Sequence, residues 1–158
     1  MNAAAKVLSL GIIYAPIMLK AFKQGLDIEK FHVVAHGLGA QLAGVMGRKI
    51  ISNSHQSQKL KRITGLDPAN TPFFPGSIVK HLSHSDAEMV DLIHTDAGIY
   101  GQPIATGTVD FWPNDGKTLQ PEYGLVFLTV NCHAQYRWHN EDDFHTSALA
   151  ASKCRCEW

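Results

Sequence analysis

Little in the bulk composition of this 158-residue chain assigns it a function. Fourteen basic residues balance fourteen acidic ones, so no net field draws the protein to nucleic acid or to an anionic bilayer. Charge names no partner, and nucleic acid is not expected as one. No N-x-[ST] glycosylation acceptor occurs. No apolar run reaches the roughly 20 residues of a membrane span. The run Val7 to Leu19 could mimic a signal core, but Pro16 interrupts it and Lys20 and Lys23 follow it. No small-x-small cleavage site closes it, and it reads better as an internal amphipathic helix. Cysteine is scarce and odd in number: Cys132, Cys154 and Cys156. In an exported protein one thiol would stay free or pair with another chain; in a reduced compartment all three could be buried. Cys154-x-Cys156 is too short for the usual Cys-x-x-Cys spacing, so no metal is expected there.

What is present is an ordinary globular composition, 45% hydrophobic, of a length that buries roughly 70% of the surface its unfolded chain exposes. Residues 3–24 read as a helix, with Val7, Leu10, Tyr14, Ile17, Met18 and Ala21 at steps of three and four. Gly25 ends it. Phe31 to Val34 reads as a buried parallel strand, and Leu38 to Ile51 as a helix whose Ala40, Ala43, Gly44 and Gly47 permit close approach to a sheet. A polar loop, Ser52 to Lys61, leads to strands at 62–66, 89–93 and 109–112 and a turn at Pro113-Asn114-Asp115-Gly116. The stretch Tyr136 to Ser152 is expected to be helical, although Glu141-Asp142-Asp143 breaks its period. Strands alternating with helices predict an α/β fold with a mainly parallel sheet and flanking helices. No repeat or linker divides residues 1–158, which read as one domain.

One segment carries chemistry by its shape. Phe31 to Gly44 reads as a short strand, a tight turn of small residues and a helix. That is the frame of a G-x-S-x-G nucleophile elbow, in which a strained turn pushes a serine oxygen above the sheet. The residue at the apex is Gly37. Without a side chain it can neither attack a carbonyl nor carry an acyl group.

Four motifs in order then resemble one family. Ala35-His36-Gly37-Leu38-Gly39-Ala40-Gln41-Leu42-Ala43-Gly44 is similar to G-H-S-L-G-A-H-x-A-G. Ile63-Thr64-Gly65-Leu66-Asp67-Pro68-Ala69 matches I-T-G-L-D-P-A. Asp86-Ala87-Glu88-Met89-Val90-Asp91-Leu92-Ile93-His94-Thr95 resembles D-A-x-x-V-D-x-I-H-T, and Gly107 to Asn114 resembles G-x-V-D-F-Y-P-N. The chain resembles the animal secreted lipases, the family of pancreatic lipase, insect venom phospholipase A1 and the fly yolk proteins. The resemblance implies a partial α/β-hydrolase fold, with the N-terminal strands and the C-terminal β-sandwich missing, and an extracellular location. It also implies a Ser-Asp-His triad in that chain order. Gly37 stands at the nucleophile position and Asp67 at the acid position, where a carboxylate orients an imidazole. The family's C-S-H-x-R reads Cys132-His133-Ala134-Gln135-Tyr136-Arg137. Either His133 holds the base position in a shortened loop or that position is Ala134; His139 and His145 read as loop histidines.

Further departures accompany the missing serine. The family's Q-P-G-C turn reads Gln120-Pro121-Glu122-Tyr123, so the usual disulfide partner of Cys132 is Tyr123, and any lid is very short. Phe127, Leu128 and Val130 fit either a core or a lipid-facing edge. No His-Gly loop upstream of the elbow supplies the second oxyanion donor. Of a calcium site found in some members, Asp86 is the one retained carboxylate, too few for an ion that prefers six to eight oxygens. His81 and His84 lack a third convergent ligand and read as a solvated turn. No metal or cofactor is expected.

Losing a triad serine typically costs about a million-fold in turnover. The preferred reading is therefore a catalytically inactive lipase-like protein with a lipid- or partner-binding or storage role, the yolk proteins being a precedent. An active carboxylic ester hydrolase (triacylglycerol lipase or phospholipase A1) and a truncated fragment without independent role are the alternatives.

Overall fold

The structure is a computed structural model that describes residues 3–77, 79–118, 131–137 and 149–155. In order the described residues form α1 (Ala3–Lys23), β1 (His32–His36), α2 (Leu38–Asn53), β2 (Arg62–Leu66), β3 (Met89–Ile93), β4 (Val109–Pro113), β5 (Asn131–Arg137) and β6 (Leu149–Arg155). The strands form one sheet in sequence order. β1 to β4 are parallel, and β5 and β6 are antiparallel to their neighbours. This is the parallel-sheet core of a partial α/β-hydrolase fold.

Helix α1 is rich in Ala, Leu and Lys, all good helix formers, and Lys20 and Lys23 lie in its last turn, where cations offset the dipole. Gly25, at φ 107°, ends it. There the Leu26 N–H donates to the Ala21 carbonyl and the Gly25 N–H to that of Phe22, both at 3.1 Å, a pairing that satisfies carbonyls a helix end leaves open. By length and apolarity α1 is long enough to cross a membrane. Its buried stripe runs through Ala4, Val7, Gly11, Ala15, Leu19 and Phe22, while Leu10, Tyr14 and Ile17 are exposed. Of the stripe read from the sequence, Val7 is buried and Met18 packs against the core, while its other large residues, Leu10, Tyr14 and Ile17, do not pack. Small residues win the contact because Gly11 lets α1 lie directly on Val45 and Met46 of α2.

Helix α2 packs into the same core. Ala40, Ala43 and Ile50 meet Ile63 of β2 and Val90 and Leu92 of β3, and Ala15, Leu19 and Phe22 of α1 complete the cluster. The opposite face of these strands is polar. Arg62 and Thr64 both bond the buried carboxylate of Asp91, and His32 Nε2 lies 2.8 Å from the Thr64 hydroxyl. Every partner in that set is engaged, as burial of a carboxylate demands.

The expected helix over Tyr136 to Ser152 is corrected by the described residues at its two ends, which are strands. β5 pairs with β4 from Val109↔Tyr136 to Pro113↔Cys132, and β6 pairs along the whole of β5. Ala148 to Ser152 favours a helix locally, but extending the sheet beyond β4 satisfies its open row of backbone donors and acceptors. Tertiary pairing overrides propensity here. Glu141-Asp142-Asp143, His139 and His145 lie outside the described residues, as do Gln120 to Tyr123, Phe127, Leu128, Val130 and Cys156.

At Gly47 a methyl group would run into the Asp86 backbone carbonyl, and at Gly44 it would come 2.9 Å from both the Asp86 carboxylate and Leu82 Cα. Backbone cannot move aside cheaply. Gly47→Ala should therefore lower unfolding free energy by about 2 kcal/mol, against the gain of about 1 kcal/mol that helix propensity alone gives. Urea denaturation monitored by circular dichroism measures the sign.

Candidate active site

The carboxyl ends of β1 and β2 form the site. At the end of β1 Gly37 takes φ 54° and ψ −120°, a conformation that costs a residue with a side chain roughly 1–3 kcal/mol. The Gly37 N–H donates to the Leu66 carbonyl at 3.0 Å, and the Gly37 carbonyl accepts from Ala69 at 3.1 Å and from Gln41 at 3.4 Å. These bonds prolong the β1–β2 ladder and start α2 at once, which makes the turn sharp. A Cβ placed on Gly37 meets nothing within 4 Å. The elbow shape is kept, and the space a serine would enter is open. The next residue, Leu38, begins α2, so its backbone N–H holds the place of the oxyanion donor that follows a nucleophile.

Asp67 follows β2 directly. Its backbone takes φ 45°, and its N–H donates to the Ile93 carbonyl at 2.7 Å. Its Oδ1 accepts from the backbone N–H groups of Thr95 and Asp96, both at 3.2 Å. Gly101 is packed so closely that a Cβ there would meet the carboxylate. The Asp67 carboxylate is thus fixed by backbone donors.

His133 stands on β5, paired with Trp112. Leu66, Ile93, Phe111 and Ala134 form one row across the sheet, so Asp67 and His133, each one step beyond that row, lie at the same height. β3 and β4 stand between them. Three strand spacings of about 4.8 Å each separate their backbones laterally. The fold brings Gly37 and Asp67 together and sets His133 at the same end of the sheet, farther along it.

One residue of the site was not legible as such. Gln41 occupies the second His position of the family-like elbow motif and is completely buried. Its Nε2 donates to the Ala69 carbonyl and its Oε1 accepts from the Leu82 N–H, each at 2.7 Å. One amide thereby ties the elbow helix to the loop after Asp67 and to the segment before β3. The departure from histidine at that position was the only signal in the sequence.

A His–carboxylate pair is built elsewhere but is inaccessible. His94 Nε2 lies 2.8 Å from Asp110 Oδ1, and the imidazole stacks on Trp112 at 3.8 Å. Asp110 also accepts from Thr106 and Gly107. His94 is 0% exposed, so it cannot reach an ester; it locks β3 to β4.

Asp86 is equally buried. Its carboxylate accepts from Arg48 and from the Ser83 N–H, with the Ser83 and Ser85 hydroxyls near its second oxygen. With a guanidinium against its oxygens, Asp86 does not fit a calcium ligand. Among the described residues no group of three or more His, Cys, Asp or Glu converges on a metal site. His81, expected in a solvated turn, is half-buried and stacks on Phe74 at 4.4 Å. Burial, then the charges of Lys80 and Arg48, push its pKa below the usual histidine value.

Comparison with known proteins follows this geometry. The Lipase family model matches residues 2–139. The chain is 37% identical over 134 residues to vitellogenin-3 of Drosophila melanogaster, covering 85% of this chain and 31% of that protein. It is 40% identical over 102 residues to the pancreatic triacylglycerol lipase of Oryctolagus cuniculus, covering 60% and 20%. To phospholipase A1 of Vespula vulgaris it is 34% identical over 135 residues, covering 85% and 39%. In these alignments the chain spans well under half of each relative's length.

Two substitutions probe the framework. Gln41→Leu leaves the Leu82 N–H and the Ala69 carbonyl buried without partners, at about 1–3 kcal/mol for each; a loss of about 3 kcal/mol is expected in urea unfolding at pH 7.5. Arg48→Met leaves the Asp86 charge unpaired and should cost about 3 kcal/mol at the same pH. Burial already raises the Asp86 pKa, against the opposing pull of Arg48. A carboxyl with a raised folded pKa binds its proton better folded than unfolded, so its burden on stability disappears as pH falls through that folded value. The Arg48→Met deficit should accordingly shrink as pH falls from 7.5 toward the ordinary carboxylate range. With the strand–turn–helix at Gly37 in place and the family model matching residues 2–139, this chain belongs to the lipase family.

Proposed function

We propose that the protein is a lipase-family member that binds lipid esters or acyl chains without cleaving them. The observation that carries this reading is Gly37: the elbow keeps its shape and its open space but offers no attacking atom. In this reading Asp67 takes the acid role, yet a general base needs hydrogen-bond reach of its partners, and the backbone of His133 lies three strands along the sheet. An apolar rim supports ligand binding. Leu38, the residue after the elbow, is 44% exposed, and Ile99, Tyr100 and Ile104 are exposed in the loop that carries Gly101. Asn70, three residues beyond Asp67, donates its side-chain amide to the Gly98 carbonyl in that loop. The likeness to a vitellogenin agrees with a storage or carrier role, and the likeness to lipases and a phospholipase A1 supports an extracellular location.

The test uses the purified chain, a short-chain nitrophenyl ester, a phospholipid and a fluorescent fatty acid. No turnover above a heat-treated control is expected with either ester, and saturable binding of the fatty acid is. Tyr100→Asp combined with Ile104→Asp should weaken that binding by tenfold or more while leaving the thermal midpoint in place. Hydrolysis that His133→Ala abolishes would overturn the reading in favour of an ester hydrolase of the lipase or phospholipase A1 type. A cooperative melt with no fatty-acid binding would overturn it in favour of an inert fragment.

A further inference from the structure

Strand register brings two of the three cysteines together. In the β5–β6 pair Cys132 stands directly opposite Cys154. Directly opposed residues of antiparallel strands have Cα atoms about 4.5 to 5.5 Å apart, and disulfides bridge Cα separations of about 4.4 to 6.8 Å. Cys156 lies beyond Arg155, whose partner Asn131 is the last position of this pairing. We propose that Cys132 and Cys154 form a cross-strand disulfide that staples β6 to β5, with Cys156 left as the odd thiol.

The oxidant is a small-molecule disulfide of the glutathione type, as found in a secretory compartment. One cysteine thiolate attacks a sulfur of the oxidant and expels a small thiolate. The second cysteine thiolate then attacks the mixed disulfide, forms the Cys132–Cys154 bond and expels the other small thiolate. The two electrons of the new bond's formation reduce the oxidant to two thiols, which take up the two protons lost by the cysteines. The closed loop holds roughly twenty residues, a length for which cross-linking restricts the unfolded chain appreciably. It also fixes β6 against β5, the strand that carries His133.

The test is a thiol map of the full chain produced through an oxidising secretory pathway, alkylated with iodoacetamide in denaturant without reductant and digested with trypsin. Arg155 separates Cys154 from Cys156, so the two fall in different peptides. The expected map has one alkylated cysteine, Cys156, and one linked pair of peptides carrying Cys132 and Cys154. Reduction, or Cys154→Ser, should lower the thermal midpoint by roughly 5–10 °C, and Cys156→Ser should leave both midpoint and linkage unchanged. Three alkylated cysteines, a link through Cys156 or a dimer joined through Cys132 would each overturn the proposal.

Discussion

Everything in the fold depends on how closely α2 lies against the backbone before β3. Gly44 and Gly47 bring the helix axis down onto Leu82 and Asp86, and two side chains from the same helix lock it there. Gln41 binds the Leu82 N–H and the Ala69 carbonyl, while Arg48 binds the Asp86 carboxylate and the carbonyls of Lys80 and His81. Buried polar groups of this kind add little net stability when paired and cost several kcal/mol when one partner is lost. They act as locators: they admit one position of the helix, and therefore one position of the elbow at its start.

From that constraint the site follows. The N-terminal turn of α2 must begin at Gly37, and the loop leaving β2 must pass within hydrogen-bond range of it. Asp67 is then placed by the ends of β2 and β3 together, because Thr95 and Asp96 supply the donors. Asp67 is held by backbone atoms, which sequence change alters less readily than side chains.

The parts legible in the sequence are those whose signals are local. The apolar runs at Ile63 to Leu66 and Met89 to Ile93 and the small-residue stripe of α2 identify their elements directly, and Gly25 marks the end of α1. The buried side of α1 was not fully legible. Val7 is read correctly, but Leu10, Tyr14 and Ile17 have the same period and face out, because the buried side runs through Gly11, Ala15, Leu19 and Phe22 instead. Nor was the strand at Leu149 to Arg155, where an alanine-rich segment follows the demand of a sheet edge. Gln41, Arg48 and Asp86 became meaningful only once the fold had brought together residues about forty positions apart.

Glycine at the apex of the elbow has a consequence for how its shape is maintained. A serine there would be forced into an unfavourable backbone region, and the surrounding structure would have to hold it against its preference. Gly37 adopts the same angles without resistance, so the bonds from Leu66, Ala69 and Gln41 need only guide it. A sharp strand-to-helix turn at this place can thus be held by a few backbone bonds, because the residue at its apex adopts the required angles willingly.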